Sequence, residues 1–579
     1  MPPTVKPTAS PAAYRTAYPA ELRVAARRLL HRVPPAPAPA PASSPGPGPG
    51  HRPGDPARRR FLTTTGAAAL LAFATGLPGS ARAAGRDPAR IRSDPFTLGV
   101  ASGDPLPGSV LLWTRLAPRP YEPGGGLDPG RYPVRWELAH DPRFTRIVRR
   151  GTVTAHPELD HSVRVEIAGL EPARVYHYRF RAGPWLGPAG RTRTAPAPGA
   201  RVRELRLAAV SCQAYHDGYF TAHGRLATED LHAVLHLGDY LYEYPVPATG
   251  GARGYPDGTL PSRFDRETVT LEEYRLRYGL YRSDPDLRAA HAAHPWVLTW
   301  DDHETDDNYA AGLPGDDRAP EDFLLRRAAA YRAYWENQPL RPAQRPRGPD
   351  LRLYRRLRFG RLAQIDVLDT RQYRSDQIPG GGWQQPGAAL HAPGRTMLGA
   401  AQERWLADGW RRSAARWNLL AQQVVLARRR DVPGPGHRLS TDAWDGYPAA
   451  RARLLAGAGA AGIRDLVVLS ADVHVGYGFD LVRDWDDPRS PVVGTEIVTT
   501  SVSSGRDGTA RPANWADLTL ANPRLRFYDG RRGYTALTVR EDSVRADFRV
   551  LPAVTVPGAP VTTAGSFVTV AGEPGLRPG

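Results

Sequence analysis

The stretch AVLHLGD (233–239) is a short, mostly apolar run that closes on a glycine and an aspartate, with Tyr242 three residues further on. A run of this length predicts a strand buried on both faces, and the terminal carboxylate falls where such a strand opens into a loop. The same design recurs on either side. LRLAAVS (205–211) leads into Cys212, PWVLTWDD (295–302) ends at Asp302 with His303 next, and RDLVVLSAD (464–472) ends at Asp472, with His474 two residues on. LAQIDVLD (362–369) and WNLLAQQVV (417–425) are further buried runs. Helical stretches lie between them: EDFLLRRAAAYRAYWENQ (321–338) and AAQERWLADGWRRSAA (400–415). Buried strands alternating with helices predict a layered α/β domain over 201–553. Side chains at the C-terminal ends of separate strands converge in such folds. Four strand ends carrying metal-ligating residue types therefore point to a metal site.

Each position has a plainer explanation. Asp239 follows Gly238 and suits a turn, Tyr242 alone suits a core, and WDDHETDDNY (300–309) suits a solvated acidic loop. Asp472 and His474 alternate, so they share one face of an extended segment, where a buried structural histidine is the ordinary expectation. No histidine lies four residues after His303, which excludes an HExxH zinc helix. Their joint occurrence in chain order favours a shared site.

Upstream, SVLLWTRL (109–116), YPVRWELA (132–139), SVRVEIAGL (162–170) and RVYHYRFRA (174–182) are short strand-like segments with no long helix between them. They predict a β-sandwich over 84–200. Residues 554–579 are sparse in pattern and are expected to form a tail. Near the start, RRRFL (58–62), the apolar stretch GAAALLAFATGLPG (66–79) and Ala81-Arg82-Ala83 fit a cleaved twin-arginine signal at 58–83. That apolar stretch is too short to span a bilayer comfortably, so no stable transmembrane span is expected. The signal implies the twin-arginine export machinery as a partner and a secreted or cell-envelope location. Residues 1–57, rich in Pro and Ala, are expected to be disordered.

The chain carries 77 basic and 59 acidic residues, a formal charge of +18. Lys6 is the single lysine. This arginine skew, with abundant Ala, Gly and Pro, reflects GC-rich coding more than a nucleic-acid surface, and no specific nucleic-acid binding is expected. Cys212 is the only cysteine, so no internal disulfide forms. It is either an inert buried thiol or a metal ligand, and its place at a strand end beside the other candidates favours the ligand.

The ordered motifs AVSCQAY (209–215), HLGDYLYEY (236–244), WDDHETDDNYA (300–310), LDTRQYR (368–374), DAWDGYP (442–448) and ADVHVGYG (471–478), with LGVASGDPLPGSVLLWTRLAP (98–118) before them, resemble the alkaline phosphatase D (PhoD-type) family of calcineurin-like metallophosphoesterases. The resemblance implies an N-terminal immunoglobulin-like sandwich ahead of an αββα catalytic domain, with Fe(III) and Ca(II) as cofactors. It implies that Cys212, Asp239, Tyr242 and His474 bind iron, that Asp239 bridges to calcium, and that Asp302 and Asp472 contribute on the calcium side. His303 stands where related enzymes protonate the leaving oxygen. Phosphate monoesters and diesters are both implied substrates, attacked by a metal-activated hydroxide. A non-catalytic surface-binding protein is the alternative of another class.

Two positions depart from the family pattern: Ala471 replaces a glycine, and Arg524 stands where a histidine is expected. Gln423 falls on the strand where related acid phosphatases carry a further histidine. Arg371, Tyr373 and Arg374 are equally suited to holding phosphate and to supporting their loop.

Overall fold

The computed structural model describes residues 90–255 and 260–579. The extension expected at 1–57 and the signal expected at 58–83 lie outside the described residues.

Two large sheets face each other. In the ten-stranded sheet, Glu204–Val210, Ala233–His236 and Pro295–Leu298 run parallel and adjacent. Val210 lies opposite His236 and His236 opposite Leu298, so the three C-terminal ends are level. In the seven-stranded sheet, Ala363–Val367, Trp417–Ala421, Leu466–Ser470 and Val492–Val498 run parallel. Leu207, Leu235 and Val297 from the first sheet pack with Ile365, Leu419, Val467 and Ile497 from the second in one core.

Helices cover the outer faces. Tyr278 of helix Leu271–Arg282 and Tyr331 and Tyr334 of helix Pro320–Asn337 pack with Trp296 and Leu298. Leu406 and Trp410 of helix Gly399–Arg411 and Leu454 of helix Pro448–Ala460 pack with Leu420 and Val468. The layers are helix, sheet, sheet, helix. Strands covered on both sides need no polar alternation, which is why they read as unbroken apolar runs. At their C-terminal edges the sheets are tied together: the Thr499 hydroxyl donates to the Ala209 carbonyl and that of Thr299 to the Leu368 carbonyl, each at 3.0 Å.

The first hundred described residues divide differently from the expected separate sandwich. Tyr132–Ala139, Ile147–Ala155, Val175–Ala182 and two short strands form a five-stranded antiparallel sheet. Val100–Leu106, Ser109–Arg115 and Ser162–Ala168 instead continue the ten-stranded sheet, Val100–Leu106 pairing in parallel with Pro295–Leu298. Val100, Val110 and Leu112 pack on Val134, Tyr178 and Phe180. One layer of this sandwich therefore belongs to the larger sheet.

Residues 554–579, expected as a tail, contain two antiparallel strands, Thr562–Val570 and Glu573–Pro578, at the opposite edge of the ten-stranded sheet. Thr562–Val570 pairs along Ser543–Val550. Among the described residues no helix is long and apolar enough to cross a membrane.

Candidate metal centre

Each predicted ligand sits just beyond the end of a parallel strand. Cys212 follows Glu204–Val210, and Asp239 and Tyr242 follow Ala233–His236. Asp302 follows Pro295–Leu298, and Asp472 and His474 follow Leu466–Ser470. Cys212, Asp239, Asp472 and His474 all have left-handed backbone angles, with φ of 55°, 55°, 70° and 56°. A side chain with a Cβ adopts that region at a cost of roughly 1 kcal/mol or more, and such residues cluster at functional sites. Here the sharp turns fold the ligands back over the strand ends. Gly238, at φ 114°, admits a close approach between two of these loops: a Cβ there would lie 2.5 Å from Asp301.

The predicted residues come together. Donor atoms of Cys212, Asp239 and His474 lie within 4.8 Å of one another, as do those of Asp239, Asp302 and His303, and those of Asp301, Asp302 and Asp472. Asp239 belongs to two of these groups, and so does Asp302. The Tyr242 hydroxyl donates to Asp239 Oδ2 at 2.9 Å and lies 3.1 Å from His474 Nε2. Among the described residues, Asp239 Oδ1 and Asp301 Oδ2 are buried without a hydrogen-bond partner. Buried carboxylate oxygens left this way are expensive unless a cation serves them. The donor types fit: thiolate, phenolate and imidazole suit a transition metal, whereas an all-carboxylate group suits a hard cation such as calcium.

Burial and neighbouring charge act on the same atoms. Burial, then Asp239, pushes the Cys212 thiol well above its ordinary range and does the same to the Tyr242 phenol. Burial raises Asp239 and Asp472 strongly, and other carboxylates add to it. Burial, Arg532 and His303 hold His474 down to about 3, which keeps its imidazole neutral and able to ligate. His303 behaves oppositely. Burial disfavours its charge, but Glu243, Asp302 and Asp239 outweigh that and hold the imidazolium well above its ordinary range.

Several residues that support the site carry no pattern visible in the sequence. Glu243 Oε2 lies 2.9 Å from His303 Nδ1, and its Oε1 accepts from the Asp307 amide at 3.0 Å. Arg277, buried, donates to the carbonyls of Tyr242 and Tyr244, and the Tyr281 hydroxyl accepts from the Tyr242 amide. Arg532 donates to the carbonyls of His474 and Gly505. Asp301 was visible as half of an acidic doublet, but only the turn decides that both carboxylates join the cluster.

LDTRQYR supports its loop and the acidic groups. The fully buried Arg371 guanidinium pairs with Asp301, with Asp442 at 2.7 Å, with Asp472 at 3.0 Å and with Asp302 at 3.4 Å. Arg374 pairs with Asp442 and donates to the carbonyls of Asn308 and Tyr309. Tyr373 packs on Tyr354. Gln423 is buried beneath the loops, its Oε1 accepting from Thr370 and its Nε2 donating to Thr299. Arg524 donates to the Pro488 carbonyl in a surface cleft with Arg428 and Trp485, in none of the donor groups.

The PhoD-like phosphatase family model matches residues 207–548, which hold every residue of these groups, and the model of that family's N-terminal domain matches residues 80–196. The chain belongs to the PhoD-like phosphatases. Membership makes it a phosphoric ester hydrolase. This PhoD-like phosphatase is 45% identical over 525 residues to alkaline phosphatase D of Bacillus subtilis (strain 168), covering 90% of this chain and 88% of that one. It also superposes on a solved structure of PhoD with a TM-score of 0.81 at 46% identity, covering 84% of this chain and 93% of that one.

Proposed function

We propose that the protein is an exported alkaline phosphatase that hydrolyses phosphate esters at a cluster of Fe(III) and Ca(II). Cys212, Asp239, Tyr242 and His474 would hold the iron, and Asp239, Asp302 and Asp472 the calcium side. The observation that carries this is the convergence of a thiol, a phenol, carboxylates and an imidazole from separate strand ends, with buried carboxylate oxygens left unserved. Bound cations of this kind supply an acidified water and neutralise phosphate oxygens. Export is supported by the twin-arginine pattern at 58–62 and the small-residue pair Ala81 and Ala83.

The chain's own residues would divide the work. Asp239 and Asp302 each belong to two donor groups, so one carboxylate can serve neighbouring cations. Arg371 neutralises part of the acidic group and holds its carboxylates in place. His303 keeps one ring nitrogen on Glu243, which leaves Nε2 to carry the proton for the departing alkoxide.

Elemental analysis of the purified chain, with rates on a phosphate monoester and a diester, tests this. Cys212→Ser and Asp239→Asn are expected to lose metal and turnover together. Full turnover in either variant would overturn the ligand assignment.

A further inference from the structure

Asp239 and Asp302 stand on loops that follow neighbouring parallel strands, and for either to serve two cations the loops must keep a fixed spacing. One side chain spans both. The Glu304 carboxylate is buried and accepts three backbone N–H groups: Asp239 at 3.0 Å and Asp301 at 2.9 Å on Oε2, and Tyr240 at 2.7 Å on Oε1. Two of those donors belong to the Asp239 loop and one to the Asp302 loop. The contact is possible because Gly238 lets its loop close on Asp301.

We propose that Glu304 is a positioning residue: its carboxylate clamps the two ligand loops together and sets the Asp239–Asp302 separation that cation binding requires. This rests on the metal-centre function proposed above. Glu304 itself belongs to none of the donor groups, so it acts through the residues it holds. An outer-shell partner of this kind typically tunes metal affinity by about 10–100-fold. Gln at this position keeps the shape but replaces one acceptor oxygen with an NH₂ that faces a backbone donor, and so forces the loops apart.

The test uses the full chain. Wild type, Glu304→Gln and Phe548→Ala are analysed for iron and calcium as purified, then stripped with a chelator and titrated with calcium alone while thermal unfolding is followed. Phe548 is a buried core residue that belongs to none of the donor groups. Its variant is expected to melt lower yet keep the wild-type calcium midpoint. Glu304→Gln is expected to shift that midpoint at least tenfold upward and to lose kcat rather than raise KM. Should Glu304→Gln fail to accumulate, Glu304→Asp, which keeps the charge and shortens the reach, is expected to give the same shift. A wild-type midpoint in a folded Glu304 variant would overturn the clamp. Failure of the wild type itself to take up any cation would overturn the metal-centre function and the clamp with it.

Discussion

His303 packs against two tyrosine rings, lying over Tyr242 with centroids 4.2 Å apart and meeting Tyr244 edge-on at 5.2 Å, and its Nδ1 is fixed by Glu243. These two ring contacts and the carboxylate at Nδ1 hold the imidazole in one orientation. His303→Ala is therefore expected to retain metal while kcat falls by about 10²–10⁴-fold, the range of a lost general acid. The loss should shrink for esters whose leaving group needs no proton, and a series of substituted phenyl phosphates measures this. Equal loss across the series would remove His303 from the acid role. Other residues at this scale differ in how readable they are. Cys212, Asp239, Asp302 and Asp472 announce themselves because an apolar run stops at each. Glu243 and Glu304 do not, because their partners are backbone amides and an imidazole brought near by folding, and no local spacing encodes that.

The strands and helices were readable to the extent that they are buried. LRLAAVS and RDLVVLSAD must be apolar because sheets or helices cover them on both sides. Thr562–Val570 shows the limit. Most of its residues are partly exposed, one strand in from the sheet edge, and TTAGSFVTV lacks the alternation that marks a half-buried strand. Local pattern also cannot tell which sheet a strand joins, and for this reason Ser109–Arg115 looked like part of a separate sandwich. Late strands nonetheless contribute to the core. Phe548 is 2% exposed, stacks on Phe527 with centroids 4.1 Å apart, and packs edge-on to Phe567. Phe548→Ala is expected to cost about 3–5 kcal/mol of stability, read from denaturant unfolding.

The whole molecule carries its histidines unevenly, and its acid response follows. His223 is fully buried, with Nε2 2.7 Å from Gln213 Oε1, and burial holds it down to about 4. It stays neutral in the folded state, whereas in the unfolded chain it ionises below about pH 6.5. Its contribution is thus fully present above that pH and is lost as pH falls from 6.5 towards 4, at about 1.4 kcal/mol per pH unit. His223→Gln is expected to flatten the acid limb of a stability–pH curve by about one proton. An unchanged slope would mean that this histidine is accessible in the native state.

The ten-stranded sheet draws its members from both halves of the chain. Glu204–Val210, the strand that delivers Cys212, is flanked on one side by Gly533–Arg540, and Glu204 and Arg540 are bonded across 336 residues. During synthesis that strand must therefore wait for a neighbour made much later, with one edge open and prone to mispairing. A ribosome that stalls before the codon for residue 533 would release a chain in which the strand carrying the thiol is paired on one edge alone, although its loop already meets Gly238, Asp239 and Ser504.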